Sequence, residues 1–504
     1  MANKSSTFRD LVVTSMFLLV VAGFAQAGTI TIGPLAGHDF DTIQAGIDAA
    51  IDGDTVLVAH GEYVITEPIT FRGKAIAVQS EAGRDETTIR MDTPADTNRG
   101  SVVIFENNET NASVLDGFTI TGGGGSRLWI SEESEFDWAG GGIFFDASSG
   151  TMKNCAIMQN RVKDVGGGVM AYSNSSVTMN NCIISGNSAT TESGGGVCCG
   201  YDSSVTMTYC TIVGNSVGQV GGGVISYSNS SVTMNYCTIM ENSAAQGGGG
   251  VFCGENSSSV TMAHCAIIGN TAGIGGGGLE IWHQASAALI NCVIARNTTV
   301  FGGGIICAPY GYQGCSVTVT NSILWGNNAS QGREIRVENP ATFSISYSNV
   351  AGGQTGVSVE SGGTLNWGEG NIDADPLFAC IGYWNDKGTR DPSDDVWVPA
   401  DYHLKSQAGR WDCDSQTWVQ DEATSPCIDA GDPMSPIGLE RFPNGGFVNM
   451  GAYGGMPEAS KSYFGEPVCE TIVAGDINGD GQVNRTDLEI MALHWTDEEP
   501  LPLP

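Results

Sequence analysis

Residues 230–254 read SSVTMNYCTIMENSAAQGGGGVFCG, and residues 203–227 read SSVTMTYCTIVGNSVGQVGGGVISY, nearly the same string 27 residues earlier. Cys155, Cys182, Cys210, Cys237, Cys265 and Cys292 follow one another at steps of 27, 28, 27, 28 and 27 residues, and Ser322 takes the same place 30 residues on. Five residues after each comes an asparagine: Asn160, Asn187, Asn215, Asn242, Asn270, Asn297 and Asn327. Glycine triplets keep the same step, at 140–142, 166–168, 194–196, 221–223, 248–250, 276–278 and 302–304. A fixed period of this length marks a solenoid or a propeller.

The choice between them lies inside the unit. Val232 and Met234 alternate with Thr233 and Asn235, and Cys237 and Ile239 alternate about Thr238, which is the period of a strand. The extra residue between Met234 and Cys237 shifts the phase, as a corner does. A unit with no helical stretch, cut by glycines and Asn-Ser turns, divides into three short strands, whereas a propeller blade needs four strands and ~40 residues. Coils stacked in parallel ~4.8 Å apart set each residue over its own copy. Cysteine and isoleucine then form inward apolar ladders, asparagine an amide ladder at a corner, and glycine supplies positive φ at a sharp turn. The expected fold class is all-β: a parallel β-helix with a carboxy-terminal cap and a small EF-hand-like helical module.

The chain of 504 residues carries a net charge of -34 with only 15% charged residues. Nucleic acid is excluded as a partner, since phosphate binding needs clustered Lys and Arg. Lys4 and Arg9 precede an apolar run, 11–24, and Ala25-Gln26-Ala27 supplies a cleavage site, which together describe a secretory signal peptide. The run is short of the ~20 residues of a membrane span. An exported, secreted or surface-located bacterial protein is expected, with no transmembrane anchor once the signal is removed. The chain divides into the signal peptide (1–27), an amino-terminal cap with the first coils (28–125), the main repeats and last coils (126–372), a cap segment (373–460), a linker (461–474) and a calcium repeat (475–504).

The fifteen cysteines of an exported chain invite a disulfide framework. Side chains pointing the same way from stacked strands make poor bridge geometry, so the ladder cysteines are expected as buried free thiols, with Cys199, Cys253 and Cys307 adding to a second ladder. Outside the repeat, Cys380, Cys413, Cys427 and Cys469 are left to pair, Cys413 with Cys427 first.

The strand after each glycine run points alternate residues outward: Phe144 and Asp146, Met170 and Tyr172, Cys198 and Gly200, Ile225 and Tyr227, Phe252 and Gly254, Glu280 and Trp282, Ile306 and Ala308. Asp146 and Glu280 are its two carboxylates, five coils and so ~24 Å apart, whereas a glycosidase pair stands ~5 to 10 Å apart. Glu280 is the candidate catalytic residue, because it breaks the repeat together with Trp282 and His283. Tyr172, Tyr227 and Trp282 are candidates for stacking on sugar. The insertion SRLWISEESEFDWAGGG (126–142) is expected to leave the coil as an acidic loop carrying Glu132, Glu133, Glu135 and Asp137.

The motif GDINGDGQVNRTDLEIM (475–491) puts Asp476, Asn478, Asp480, Gln482 through its carbonyl, Asn484 and Asp487 at positions 1, 3, 5, 7, 9 and 12 of an EF-hand loop, with Gly481 at its turn. Calcium is therefore the expected cofactor.

GGGV followed by CxIxxN resembles the right-handed parallel β-helix proteins of the pectate-lyase-like superfamily, and is similar to the repeats of chlamydial polymorphic outer membrane proteins. TIQAGIDAAIDGDTVLVAHGEY (42–63) resembles that superfamily's amino-terminal cap, a short helix followed by a first coil. NIDADPLFA (371–379), SPCIDAGDP (425–433) and NMGAYGG (449–455) resemble the closing segment of exported bacterial β-helix proteins. The calcium motif and the helix after it resemble one repeat of a type I dockerin, which implies a cohesin-like partner, although the second repeat is missing. The functions implied are polysaccharide or cell-surface glycan binding without catalysis, with a polysaccharide lyase or glycoside hydrolase and a structural adhesin as alternatives.

Overall fold

The structure is a computed structural model that describes residues 27–34, 36–130, 135–309, 313–385, 396–398, 400–465, 475 and 483–494. The signal peptide, through residue 26, lies outside them.

Three parallel sheets of 13, 11 and 11 strands wrap one core as a right-handed parallel β-helix. In one coil, Val224–Tyr227 belongs to what we call the third sheet, Ser231–Asn235 to the first and Thr238–Met240 to the second. Each strand pairs in register with its copy, so that Met207, Met234 and Met262 stand in one row. Coils between 161 and 272 add a fourth strand of two residues, such as Ser243–Ala244. The phase shift read after Met234 is a corner at Tyr236, whose φ is 56°. Tyr209, Tyr236 and His264 share that corner in successive coils, their rings stacked at 4.9 Å.

The interior is one apolar cluster made of repeated rows: Val205, Val232 and Val260; Ile212, Ile239 and Ile267; Cys210, Cys237 and Cys265. The row thiols are free and buried. Cys237 donates to the carbonyl of Asn235 at 3.3 Å, and Ser322 donates to Thr320 in the same way at 2.8 Å. Cys307 corrects the expectation of a free thiol row, because it is bonded to Cys315. A β-helix end exposes unpaired strand edges, and at the amino-terminal end the helix Ile43–Ala49 buries Ile43 and Ile47 over the first coil. Thr42 caps this helix by accepting from Ala45 N.

The asparagines form the expected ladder, and all are buried. Asn242 Oδ1 accepts from the backbone N and the Nδ2 of Asn215, both at 2.9 Å, while Asn242 Nδ2 donates to Ile212 O and to Asn270 Oδ1, both at 3.0 Å. Donation runs in one direction only, so the last member needs an acceptor with no copy beyond it. Glu334 fills that place, accepting from Asn327 N at 3.3 Å and Asn327 Nδ2 at 2.5 Å. Burial pushes the Glu334 carboxyl up to about 7.

The glycine triplets carry two separate demands. Gly248 opens its triplet at φ +61°, the turn conformation the sequence implied. Gly250 closes it for a different reason: a Cβ there would stand 2.6 Å from Gly278 O and 3.0 Å from Asn270 Nδ2, so the ladder and the next coil leave no room.

The carboxy-terminal segment does not sit where an end cap would. Its described residues Phe378, Tyr402, Leu404, Cys427, Ile428, Met450 and Ala452 pack with Ile268, Val293, Ala295 and Ile323, on the outer side of the second sheet. Asn291 Nδ2 donates to Asn449 O at 2.9 Å, and Asn321 Oδ1 accepts from Asp432 N at 2.7 Å. Apolar outward residues on these coils give the segment a lateral seat, which is why it lies along the solenoid. Cys413 and Cys427 are unbonded, correcting the expected pair: Cys427 is buried and accepts from Asn349 Nδ2 at 3.0 Å, while Cys413 is exposed beside His403.

Candidate functional site

The outer side of the third sheet departs from the sequence expectation. Its first outward row, Phe144, Met170, Cys198, Ile225 and Phe252, points away from the core yet is buried. A second layer covers it. The chain before each glycine triplet runs over the sheet as a ladder of single bridges through Val165, Ser193, Val220, Gly247 and Gly275, and of these Val165 and Val220 pack with the row together with Leu128 and Ala139. Residues 126–142, expected as a loop, instead begin and end in a hairpin, Gly125–Ile130 against Glu135–Ala139. Glu132 and Glu133 lie outside the described residues.

Between this layer and the second outward row lies a groove of ≈ 560 Å³. Tyr201, Tyr227 and Trp282 line it, with Asp137, Glu192, Glu255 and Glu280 as its carboxylates and Gln219 and Gln246 as neutral partners. The structure thus brings Glu280, Tyr227 and Trp282 together, as the sequence grouped them, and leaves Tyr172 just outside. Tyr201 stands between Tyr172 and Tyr227, its ring edge-on to the first at 4.8 Å and to the second at 5.4 Å, while the Tyr227 ring lies over Gly200. Strand alternation does not reveal Tyr201, because it stands at a corner with φ 54°. Nor does it reveal Asp137, Glu192 and Glu255, which enter from the covering layer and from a corner. Asp146, the other carboxylate of the strand row, does not line the groove.

Glu280 takes the place held by Phe252 one coil earlier and Ile306 one coil later. Its carboxyl rests on Gly247, where any Cβ would meet Oε2, and near Gly275. At these two coils alone among the repeats the glycine triplet has become a run of four, at 247–250 and 275–278, and the added glycine is the room the carboxyl occupies. Oε2 is sealed from solvent and has no hydrogen-bond partner. Burial, helped by the charge of Glu338 and opposed by a bond from Gly248 N, pushes this carboxyl up to about 7, as desolvation of an acid requires. No residue lining the groove is basic among those described. The next charged residue in the Glu280 row is Arg336, two coils on, which is buried and held by Glu338 at 2.8 Å and Glu360 at 2.5 Å.

A second cluster lies in the carboxy-terminal segment, where His403 Nδ1 stands 2.6 Å from Asp401 Oδ1 and 3.9 Å from Cys413 Sγ. Thiol and carboxylate share one ring nitrogen, and Nε2 is buried without a partner. A nucleophile–base–orienter relay needs the two on opposite nitrogens, so the cluster is no such relay.

Of the calcium loop, Asp476, Asn478, Asp480 and Gln482 lie outside the described residues. Asn484 and Asp487 are described at the start of the helix Arg485–His494: Asp487 is buried and accepts from Asn484 N at 2.7 Å, and Asn484 Oδ1 accepts from Thr486 N at 2.8 Å. No helix among the described residues is long and apolar enough to cross a membrane.

Two family models match the chain. One, described as a right handed beta helix region, matches residues 95–223 and 184–294, and the other, described as disaggregatase related, matches 346–431. No curated protein matches. Among solved structures, a pectate lyase, Pel9A, aligns at 15% identity and a TM-score of 0.49 over 85% of this chain and 97% of its own. A family 28 exopolygalacturonase of Yersinia enterocolitica aligns at 10% identity and a TM-score of 0.25 over 69% of this chain and 78% of its own.

Proposed function

We propose that the chain is an exported protein that binds polysaccharide in the groove over its third sheet and holds it without cleavage. The observation that carries this reading is the grouping of Tyr201, Tyr227 and Trp282 with glutamines and carboxylates in one open groove. Aromatic rings offer apolar faces to sugar rings, and a few polar groups fix their orientation. Elimination chemistry of the lyase type draws on a positioned base, and the groove has no Lys, Arg or His among its described lining residues.

A second reading, glycoside hydrolysis, is favoured by one observation: a carboxyl held protonated to about 7 shares the groove with three others. An acid so raised can protonate a leaving oxygen while a second carboxylate activates water. Against it, Glu280 Oε2 is turned onto Gly247 rather than into the groove. The deciding experiment incubates the purified chain with neutral, acidic and amine-bearing polysaccharides and records both retardation in affinity gels and new reducing ends. Retardation without release supports binding. Release that Glu280→Gln abolishes establishes hydrolysis in its place, and neither retardation nor release sinks both.

We also propose that residues 475–491 bind calcium and that this half dockerin tethers the protein to a cohesin-like partner at the cell surface. The turn of Asp487 back onto Asn484 supports the loop, since the twelfth position of an EF-hand closes on the ligands before it. Calorimetric titration with calcium should show one site that Asp487→Ala removes, and an unchanged heat trace for the parent chain at millimolar calcium would end the proposal.

A further inference from the structure

The groove has a sign as well as a shape. Its carboxylates enter at four heights along the solenoid. Asp137 precedes the strand Ile143–Asp146, Glu192 precedes Val197–Cys199 two coils on, Glu255 follows Val251–Gly254 after two more, and Glu280 stands in the next. With coils ~4.8 Å apart the axial steps are about 10, 10 and 5 Å, a row ~24 Å long. Tyr201, Tyr227 and Trp282 stand along the same row.

We infer that the glycan taken by this groove is a polymer of amine-bearing sugars, whose ammonium groups meet this row of carboxylates and rings. The inference rests on the polysaccharide-binding reading and narrows it. An ammonium group offers charge-assisted hydrogen bonds to a carboxylate and is attracted to the faces of Tyr and Trp, so both kinds of lining residue act on the same ligand group. A polyuronate would set carboxylate against carboxylate in a groove with no basic lining residue among those described, on a chain of net charge -34. A neutral glycan would bond to Gln219, Gln246 and Ser193, but would desolvate the carboxylates without returning them a counter-charge. Glu280 is the least accessible of the four, since its Oε2 is turned onto Gly247.

The test compares oligomers of equal length by calorimetry on the full chain: glucosamine, N-acetylglucosamine, and galacturonate with calcium or with chelator. The expected result is at least tenfold tighter binding of the glucosamine oligomer than of its N-acetylated form, weakening as salt is raised. The double substitution Glu192→Gln and Glu255→Gln should lower that affinity about tenfold. Neutralising Asp85 and Glu86, exposed on an early coil, should leave it unchanged. Equal loss in the two variants would mean bulk charge alone and overturn the inference, as would equal affinity for the N-acetylated oligomer or a preference for galacturonate with calcium. In the last two outcomes the polysaccharide-binding reading survives, whereas it falls too if no oligomer binds.

Discussion

At the amide corner the seven repeats hold Asn160, Asn187, Asn215, Asn242, Asn270, Asn297 and Asn327, while the equivalent outward positions of the third sheet hold Phe144, Met170, Cys198, Ile225, Phe252, Glu280 and Ile306. Both rows are built from stacked copies on the same coils. The difference is in what each side chain meets. An asparagine at the corner meets the asparagines above and below it and its own coil's neighbours, so one identity satisfies every member. An outward residue of the third sheet meets the covering layer, which changes from coil to coil through Val165, Ser193, Val220, Gly247 and Gly275. Repetition is enforced where a residue's environment is its own copy, and variation, with the candidate site, collects where the environment is something else.

The strongest way to break this contrast is Asn242→Ala. It strips two donors of Asn215 of their acceptor and the carbonyl of Ile212 of its donor. At ~1–3 kcal/mol for each buried group left unpaired, the loss should reach roughly 4 kcal/mol. Met170→Leu, a volume-conserving change in the varied row, should cost under about 1.5 kcal/mol. Urea unfolding of both variants is the measurement, and equal losses would erase the distinction.

A pair of glycine substitutions three residues apart sharpens it. Gly250→Ala drives a Cβ against the backbone of the next coil and should cost about 2 kcal/mol by overpacking. Gly247→Ala meets only the end of the Glu280 side chain, which can swing toward the groove, and should cost less than ~1 kcal/mol while altering ligand affinity.

Glu334 tests where the ladder ends. Its carboxyl titrates near 7 in the folded chain against 4.5 for an unperturbed group, so between those values the unfolded state releases its proton first and stability falls as pH rises. Glu334→Gln keeps an acceptor for Asn327 and removes the charge. It should add about 1 to 2 kcal/mol at pH 8 and nothing at pH 4, a difference readable in melting temperature. Glu280, Glu440 and Asp429, all raised by burial, leave a weaker slope of the same sign.

The smallest effect belongs to Cys237→Ser. Ser322 and Ser348 already stand in that row and donate to the carbonyl two residues back, so the loss should stay below ~1 kcal/mol.

Solenoid, strand phase, corners and amide ladder were all legible, because each is a statement about a residue and its neighbours one period away, while the amino-terminal helix was legible only through the resemblance of residues 42–63 to a known cap. The buried row of third-sheet residues was not, since alternation reports the direction of a side chain and not what lies over it. Glu280 and Trp282 were found through departure from the repeat, and Tyr227 through the outward alternation of its strand. Asp137, Glu192, Tyr201 and Glu255 were missed because they reach the groove from segments with no fixed register. A serine row of corners, in which Ser175 N donates to Ser203 Oγ and Ser203 N to Ser230 Oγ at 3.1 Å, was visible in the sequence as a recurring SSVT and was passed over as a turn. The lateral seat of the carboxy-terminal segment depends on apolar contacts across more than a hundred residues, and no local pattern announces them.

The one-way direction of the asparagine ladder has a further consequence for ancestry. Every junction between coils joins the same donors to the same acceptors, so a coil lost or gained through unequal recombination leaves a junction chemically identical to the one it replaced. Only the two boundaries are particular, Gly123 giving its N–H to Asn160 at one and Glu334 receiving from Asn327 at the other. A gene encoding this chain can therefore lengthen or shorten in whole units while both boundary residues stay in place, and relatives differing by multiples of about 27 codons are the expected record of that history.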